Sequence, residues 1–276
     1  MKITQQIIIV GCLSSLVPLL LIGSILSFIL EQDIKENTIS NLKSFANNKK
    51  SQIEGTLHLI NEIVDSIASR TAMRQNLALY NAEPAPSYLI KLDKILSDAQ
   101  YSIPDIMEIS IADPNGIIVS STQKNIVGNS LFAENYFKTS IEGNHYNAYV
   151  QHSNYPAIFT AHPLIYEDEI IGVITIYFLD ELIGATQIDY GETGEFIIAK
   201  HNENGDALFL NAMKFDKDSA FTRIVEKDRL DVPITQALLQ NRDIVDDYVD
   251  YRGISVLAVT DYIEHLDMGL VVKKDE

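Results

Sequence analysis

Across 276 residues the chain carries 38 acidic against 21 basic side chains, a formal net charge of -17. An acidic surface repels nucleic acid and anionic lipid, so neither is expected as a partner. The single cysteine, Cys12, excludes a disulfide framework, and the fold has to rest on an ordinary apolar core.

The stretch from Ile7 to Leu30 contains no charged residue. As a helix it would reach roughly 36 Å, more than the ~30 Å hydrocarbon core of a bilayer. It is longer than the apolar core of a signal peptide, and no small-residue cleavage site follows it, so it reads as an uncleaved anchor. Ile9-Val10-Gly11-Cys12 looks like the box before a lipid-modified cysteine, but the uncharged run continues to Leu30, a poor match to such a signal. Cys12 is therefore expected to be a small apolar residue within the membrane. Lys2 precedes the span, and Glu31, Asp33 and Glu36 follow it with only Lys35 among them, which puts the N-terminus in the cytoplasm and residues 31–276 outside it.

From Glu31 to about Tyr80 there is no proline or turn cluster. Apolar residues recur at Ile39, Leu42, Ala46, Ile53, Leu57, Ile60, Val64 and Ile67, a stripe along one long helix. The stripe suits either a dimer seam or a face packed on the chain's own sheet. Lys49 interrupts it, and Gly55 weakens the helix by about 1 kcal/mol relative to Ala. Ala82-Glu83-Pro84-Ala85-Pro86 breaks the helix, and a second is expected over about Ser87 to Ser102, ended by Pro104.

The period then changes to two. Ile106 to Ala112 and Ile117 to Ser121 are strands joined by the turn Asp113-Pro114-Asn115-Gly116. A helix over Ala133 to Ile141 follows, then strands Ala148 to His152, Ala157 to Pro163 and Ile170 to Tyr177, the last two joined by Glu167-Asp168-Glu169. This predicts an antiparallel sheet with helices on one face. A smaller unit repeats the plan. Glu195 to Lys200 and Ala207 to Asn211 flank a turn at 202–206, a helix covers Pro233 to Leu239, and strands Ile254 to Tyr262 and Met268 to Lys273 close the lobe.

Several pieces together resemble the double Cache sensor domains, PAS-like modules of bacterial transmembrane receptors, most of all those of sensor histidine kinases. They are Gly191-Glu192-Thr193-Gly194-Glu195, Asp206-Ala207-Leu208-Phe209-Leu210, Asp250-Tyr251-Arg252-Gly253 and Gly269-Leu270-Val271-Val272-Lys273 in the second lobe. In the first they are Asp113-Pro114-Asn115-Gly116, Asn135-Tyr136-Phe137, Ala161-His162-Pro163 and Ile171-Gly172-Val173. The resemblance covers everything after the anchor. It implies an α+β fold in four parts: 1–30, cytoplasmic N-terminus and transmembrane helix; 31–102, long stalk helix and second helix; 103–186, a membrane-distal lobe; 187–276, a membrane-proximal lobe. It further implies a bacterial inner-membrane location with residues 31–276 periplasmic or extracellular. Such domains usually stand between two membrane helices with a kinase, cyclase or chemotaxis domain beyond, so this chain reads as the sensory part of a longer receptor.

No nucleophile–base pair, paired carboxylates or phosphate loop is recognisable, so no enzyme activity and no cofactor are expected. Gly191 to Gly194 is too short for a nucleotide fingerprint and reads as a tight turn. His152 and His162 could face each other on adjacent strands and bind a metal or titrate near neutral pH, but two ordinary strand histidines are the plainer reading and no metal is expected. Asp246, Asp247 and Asp250 lack calcium-loop spacing and read as a solvated acidic turn. Arg252 could bind an anion, but pairing with Asp250 or a backbone carbonyl is the more ordinary role.

The positive signal is a set of aromatic and polar residues converging on the first lobe: Tyr136, Phe137, Tyr149, His152, Phe159 and Tyr177. Relatives that bind amino acids carry an arginine two residues before the aromatic pair and an aspartate on the last strand. Here those positions hold Glu134 and Tyr177, so the resemblance implies a ligand other than a standard amino acid, one that is cationic, neutral or polyol-like. The expected function is small-molecule sensing in the distal lobe, transmitted by the long helix in a homodimer. The alternative is a periplasmic protein-interaction module of a chemoreceptor or diguanylate cyclase, its pocket filled by its own side chains.

Overall fold

The computed structural model describes residues 3–180, 191–242 and 244–276, and the side chains from residue 16 onward except 243–247. The side chain of Cys12 and the lobe boundary at 186/187 lie outside the described residues.

One continuous helix, α1 (Ile3–Ala68), contains both the apolar span and the stalk. Among the described residues it is the one helix long and apolar enough to cross a membrane. The long-helix expectation needs one correction, for the helix stops at Ala68, and α2 (Thr71–Ala82) starts afresh after Arg70, whose ψ of 114° leaves helical space. The break lets α2 turn onto the distal sheet, where Arg74 Nη1 donates to the Ile165 carbonyl at 3.1 Å. Helix α3 (Pro86–Ser102) begins with proline at its first position, where no amide donor is missed.

The distal sheet contains β1 (Ile106–Ala112), β2 (Ile118–Ser121), β3 (Tyr146–His152), β4 (Tyr155–Tyr166) and β5 (Glu169–Leu179), all antiparallel in the order β2-β1-β5-β4-β3. The β4–β5 hairpin turns at Glu167 and Asp168, both at positive φ. The proximal sheet contains β6 (Glu195–His201), β7 (Ala207–Phe209), β8 (Ile224–Val225), β9 (Ile244–Val249), β10 (Ser255–Ile263) and β11 (Met268–Asp275), in the order β8-β7-β6-β11-β10-β9. Strands β8 and β9 were not foreseen, and Asp246 and Asp247 belong to the edge strand β9 instead of a turn. Helix α5 (Pro233–Leu238) packs on this sheet.

Leu42, Ala46, Ile53, Leu57, Ile60, Val64 and Ile67 are all buried in one core with residues of both sheets. The apolar stripe is thus the face packed on the chain's own lobes, and any seam between copies has to use another face of α1. Strand β5 shows why the distal sheet is covered twice. Ile174, Ile176 and Phe178 join the core under α1–α3, while Val173 and Tyr177 join a second core under α4 (Asn135–Ile141). Helices therefore lie on both faces, not one.

Close approach at one glycine holds β5 to β1. Gly172 has φ 157°, and a Cβ there would run into the Ala112 carbonyl and approach Leu77 Cδ2 to 3.1 Å. Gly172→Ala is expected to destabilise the protein by about 1–3 kcal/mol, read from the denaturant midpoint, because neither backbone can retreat without breaking the ladder.

Candidate ligand-binding site

In an antiparallel sheet directly opposed residues share a face. Glu108 of β1 opposes Tyr177 of β5, Tyr177 opposes Phe159 of β4, and Phe159 opposes Ala148 of β3. This row looks toward α4. The next row on the same face is Ser110, Thr175, Ala161 and Tyr146.

Helix α4 is pinned over these rows by Ser140 Oγ, which donates to the Ala161 carbonyl at 2.9 Å. Phe137 is buried beneath the helix, and Tyr136 is half-buried with its ring 4.7 Å from Phe159 and 6.1 Å from Tyr146. Phe159 lies 4.7 Å from Tyr177, and His152 stacks on the far side of the set against Tyr177 at 3.9 Å. The aromatic wall is therefore Tyr136, Tyr146, Phe159, Tyr177 and His152, with Phe137 supporting it from within the core.

Beneath the wall sits Glu108, 5% exposed. Ser110 Oγ donates to its Oε1 at 3.2 Å, and His152 Nε2 stands 3.3 Å from its Oε2. Glu134, exposed, is the residue before α4. Burial, followed by the charges of Glu108 and Glu134, pushes the Tyr177 phenol up to about 12. Burial, Tyr177 and both carboxylates raise Tyr136 further. At neutral pH the phenols are thus neutral hydroxyls in a negative field.

Six of the seven residues singled out in the sequence lie in or beside this site: Glu134, Tyr136, Phe137, His152, Phe159 and Tyr177. Tyr149 does not, because it follows Ala148 on β3 and so points to the opposite face. It is buried at the junction of the lobes, where its hydroxyl donates to Asp180 at 2.7 Å and its ring stacks 5.9 Å from Phe221. Tyr149→Phe is expected to lower stability by about 2 kcal/mol through loss of a hydrogen bond to a buried carboxylate, while leaving ligand affinity unchanged in calorimetric titration.

Sequence reasoning missed Glu108 and Tyr146. The available signal was the alternation Glu108, Ile109, Ser110, Ile111, which assigns the acid to the face away from the stalk helices. His152 does not face His162 either, for it opposes Tyr155 at the end of the β3–β4 hairpin. Arg252 does pair with Asp250, Nε to Oδ2 at 2.7 Å.

Two antiparallel lobes strung along one helix, with an aromatic and acidic cluster under a short helix of the distal lobe, define an α+β two-lobed module. The family model for Cache domains matches residues 27–276, and the chain belongs to that family. Its fold is similar to the sensor domain of the histidine kinase DctB of V. cholerae, at 15% identity and a TM-score of 0.64 over 87% of this chain and 98% of that one. It is also similar to the ligand-binding domain of the Campylobacter jejuni chemoreceptor Tlp3 in complex with 4-methylisoleucine, at 13% identity and a TM-score of 0.64 over 87% and 92%. No curated protein matches the chain in sequence.

Proposed function

We propose that the chain is the extracytoplasmic input domain of a membrane-bound signalling receptor and that it binds a small organic cation between α4 and the distal sheet. The observation that carries the reading is the buried Glu108 under the ring set of Tyr177, Phe159 and Tyr136, with Glu134 at the rim. Ring faces and carboxylates both favour positive charge. A ligand carboxylate would meet repulsion from the same two acids, which separates this site from one suited to an amino acid such as the Tlp3 ligand.

The rings touch one another, so a ligand has to part Tyr136 from Phe159 and draw α4 outward. Signalling then requires that the ligand bind the opened arrangement better than the closed one. Helix α1 suits transmission because it packs on both lobes and runs without interruption into the apolar span. In this reading residues 31–276 lie outside the bacterial inner membrane, and two copies pair along the outer face of α1, where Leu59 is exposed.

The closed ring packing also suits the second reading, a protein-interaction module with a self-filled pocket. Thermal-shift screening of the full chain in nanodiscs discriminates them. Primary and quaternary amines are expected to raise the midpoint, and silence toward every small molecule would favour the module.

A further inference from the structure

On the other face of the distal sheet, two histidines meet the stalk helix. The β3–β4 register sets Tyr146 against Ala161, which brings His145, one residue before β3, beside His162 of β4. Their rings stack at 3.7 Å. Asn61 and Asp65, one turn apart on α1, face them. Asp65 Oδ1 is 2.8 Å from His162 Nδ1 and 3.6 Å from His145 Nε2, and Asn61 Oδ1 is 3.1 Å from His162 Nε2.

With the Asn61 oxygen accepting the proton of His162 Nε2, His162 Nδ1 presents a lone pair to a carboxylate oxygen at hydrogen-bond distance. In that tautomer the two lone pairs converge, and a cation held between them would satisfy both. The donor atoms of Asp65, His145 and His162 all lie within 4.8 Å of one another. Ligands about 2.0–2.1 Å from one tetrahedral ion stand roughly 3.3 Å apart, so the two separations from Asp65 Oδ1 bracket that value, and closing the site requires the exposed His145 ring to turn out of its stack on His162.

We propose that Asp65, His145 and His162 bind one divalent transition-metal ion, of zinc, cobalt or nickel type, with a water as the fourth ligand. Two imidazoles and one carboxylate suit these ions better than calcium or magnesium, which prefer oxygen alone. Asn61 orients His162 from behind, as partners of ligating histidines commonly do. The ion ties the last turns of α1 to β4 and to the residue that leads into β3, across the sheet from the aromatic site. It is therefore placed to fix the stalk helix against the distal lobe whichever ligand that lobe takes.

The test uses the tag-free full chain in nanodiscs, stripped with chelator and titrated with Co2+ and Zn2+. One ion per chain is expected, with the visible absorption of tetrahedral cobalt and a raised melting midpoint. His145→Ala and Asp65→Asn are expected to weaken binding by about 100-fold or more, and His58→Ala, an exposed helix histidine, to leave it unchanged. His145→Ala removes an exposed ring whose stack on His162 and contact with Asp65 are both at the surface, so its apo midpoint should fall only slightly while metal binding is lost. Absence of binding below millimolar metal, or binding that survives both substitutions, overturns the proposal. So does an Asp65→Asn chain that merely melts earlier with no change in metal affinity, which would make the cluster a polar clasp.

Discussion

Lys273→Met is expected to destabilise the proximal lobe by about 3–5 kcal/mol, the usual cost of removing one partner from a buried ionic cluster. Lys273 is fully buried, with Nζ 2.7 Å from Glu195 Oε2 and 2.7 Å from Asp250 Oδ2. Asp250 keeps Arg252 when the lysine goes. Glu195 keeps the Tyr251 hydroxyl at 2.8 Å and the Lys214 amide at 2.9 Å but loses its nearest cation. An uncompensated buried carboxylate results. By contrast, Lys94→Met breaks an exposed pair with Asp98 and should cost less than about 0.5 kcal/mol. The midpoints of chemical denaturation, compared at constant slope, check both values.

The same cluster fixes the acid response. Burial opposes ionisation of Asp250, but hydrogen bonds from Arg252 and Lys273 outweigh it and hold the carboxyl below its ordinary range. Because the folded value lies below the unfolded one, the stabilisation is present above the unfolded pKa and is lost as pH falls through the folded value. Lys273→Met removes one of the two donors, so acid unfolding should move to higher pH.

Glu108→Gln is expected to weaken cation binding by about 100-fold or more while leaving the fold intact. Gln has the same shape and can still meet Ser110 and His152, so the loss is one of charge. A charge pair about 4 Å apart at an effective dielectric near 20 is worth about 4 kcal/mol, against about 2.8 kcal/mol for two decades of affinity. Glu134→Gln should cost about tenfold or less, since Glu134 is exposed and screened by water. Equal losses from the two substitutions would place the ligand at the rim instead of over Glu108.

Most of the fold was legible because its signals are local. Period-two runs marked β1, β4, β5, β6, β10 and β11, and the turn at 113–116 and the break at 83–86 set their limits. Strand β9 was not, because its acidic pair imitates a solvated turn, although charge on an edge strand also blocks unwanted pairing. The helix break at 69–70 has neither proline nor glycine to announce it. It arises from packing, as α2 leaves the stalk for the sheet.

The site was legible as a composition and less so as a geometry. Tyr136, Phe159 and Tyr177 could be grouped as aromatic residues of one lobe, but the face of Tyr149 depends on register, since one residue along a strand reverses the side. Glu108 sits on the polar side of an alternating strand, which ordinarily faces water. Here α4 covers that side and turns the acid into a buried one. The apolar stripe of α1 suited either a partner helix or a sheet until the two lobes were seen to occupy it.

The central claim, recognition of a small cation over Glu108, is tested most directly by isothermal titration of the full chain in nanodiscs. The ligands are amines, quaternary ammonium compounds, free amino acids and dicarboxylates, each run against the parent chain and Glu108→Gln. The predicted result is saturable binding of a cation at one site per chain, lost in Glu108→Gln and retained in Tyr149→Phe. Binding of a carboxylate ligand with undiminished affinity in Glu108→Gln would contradict it.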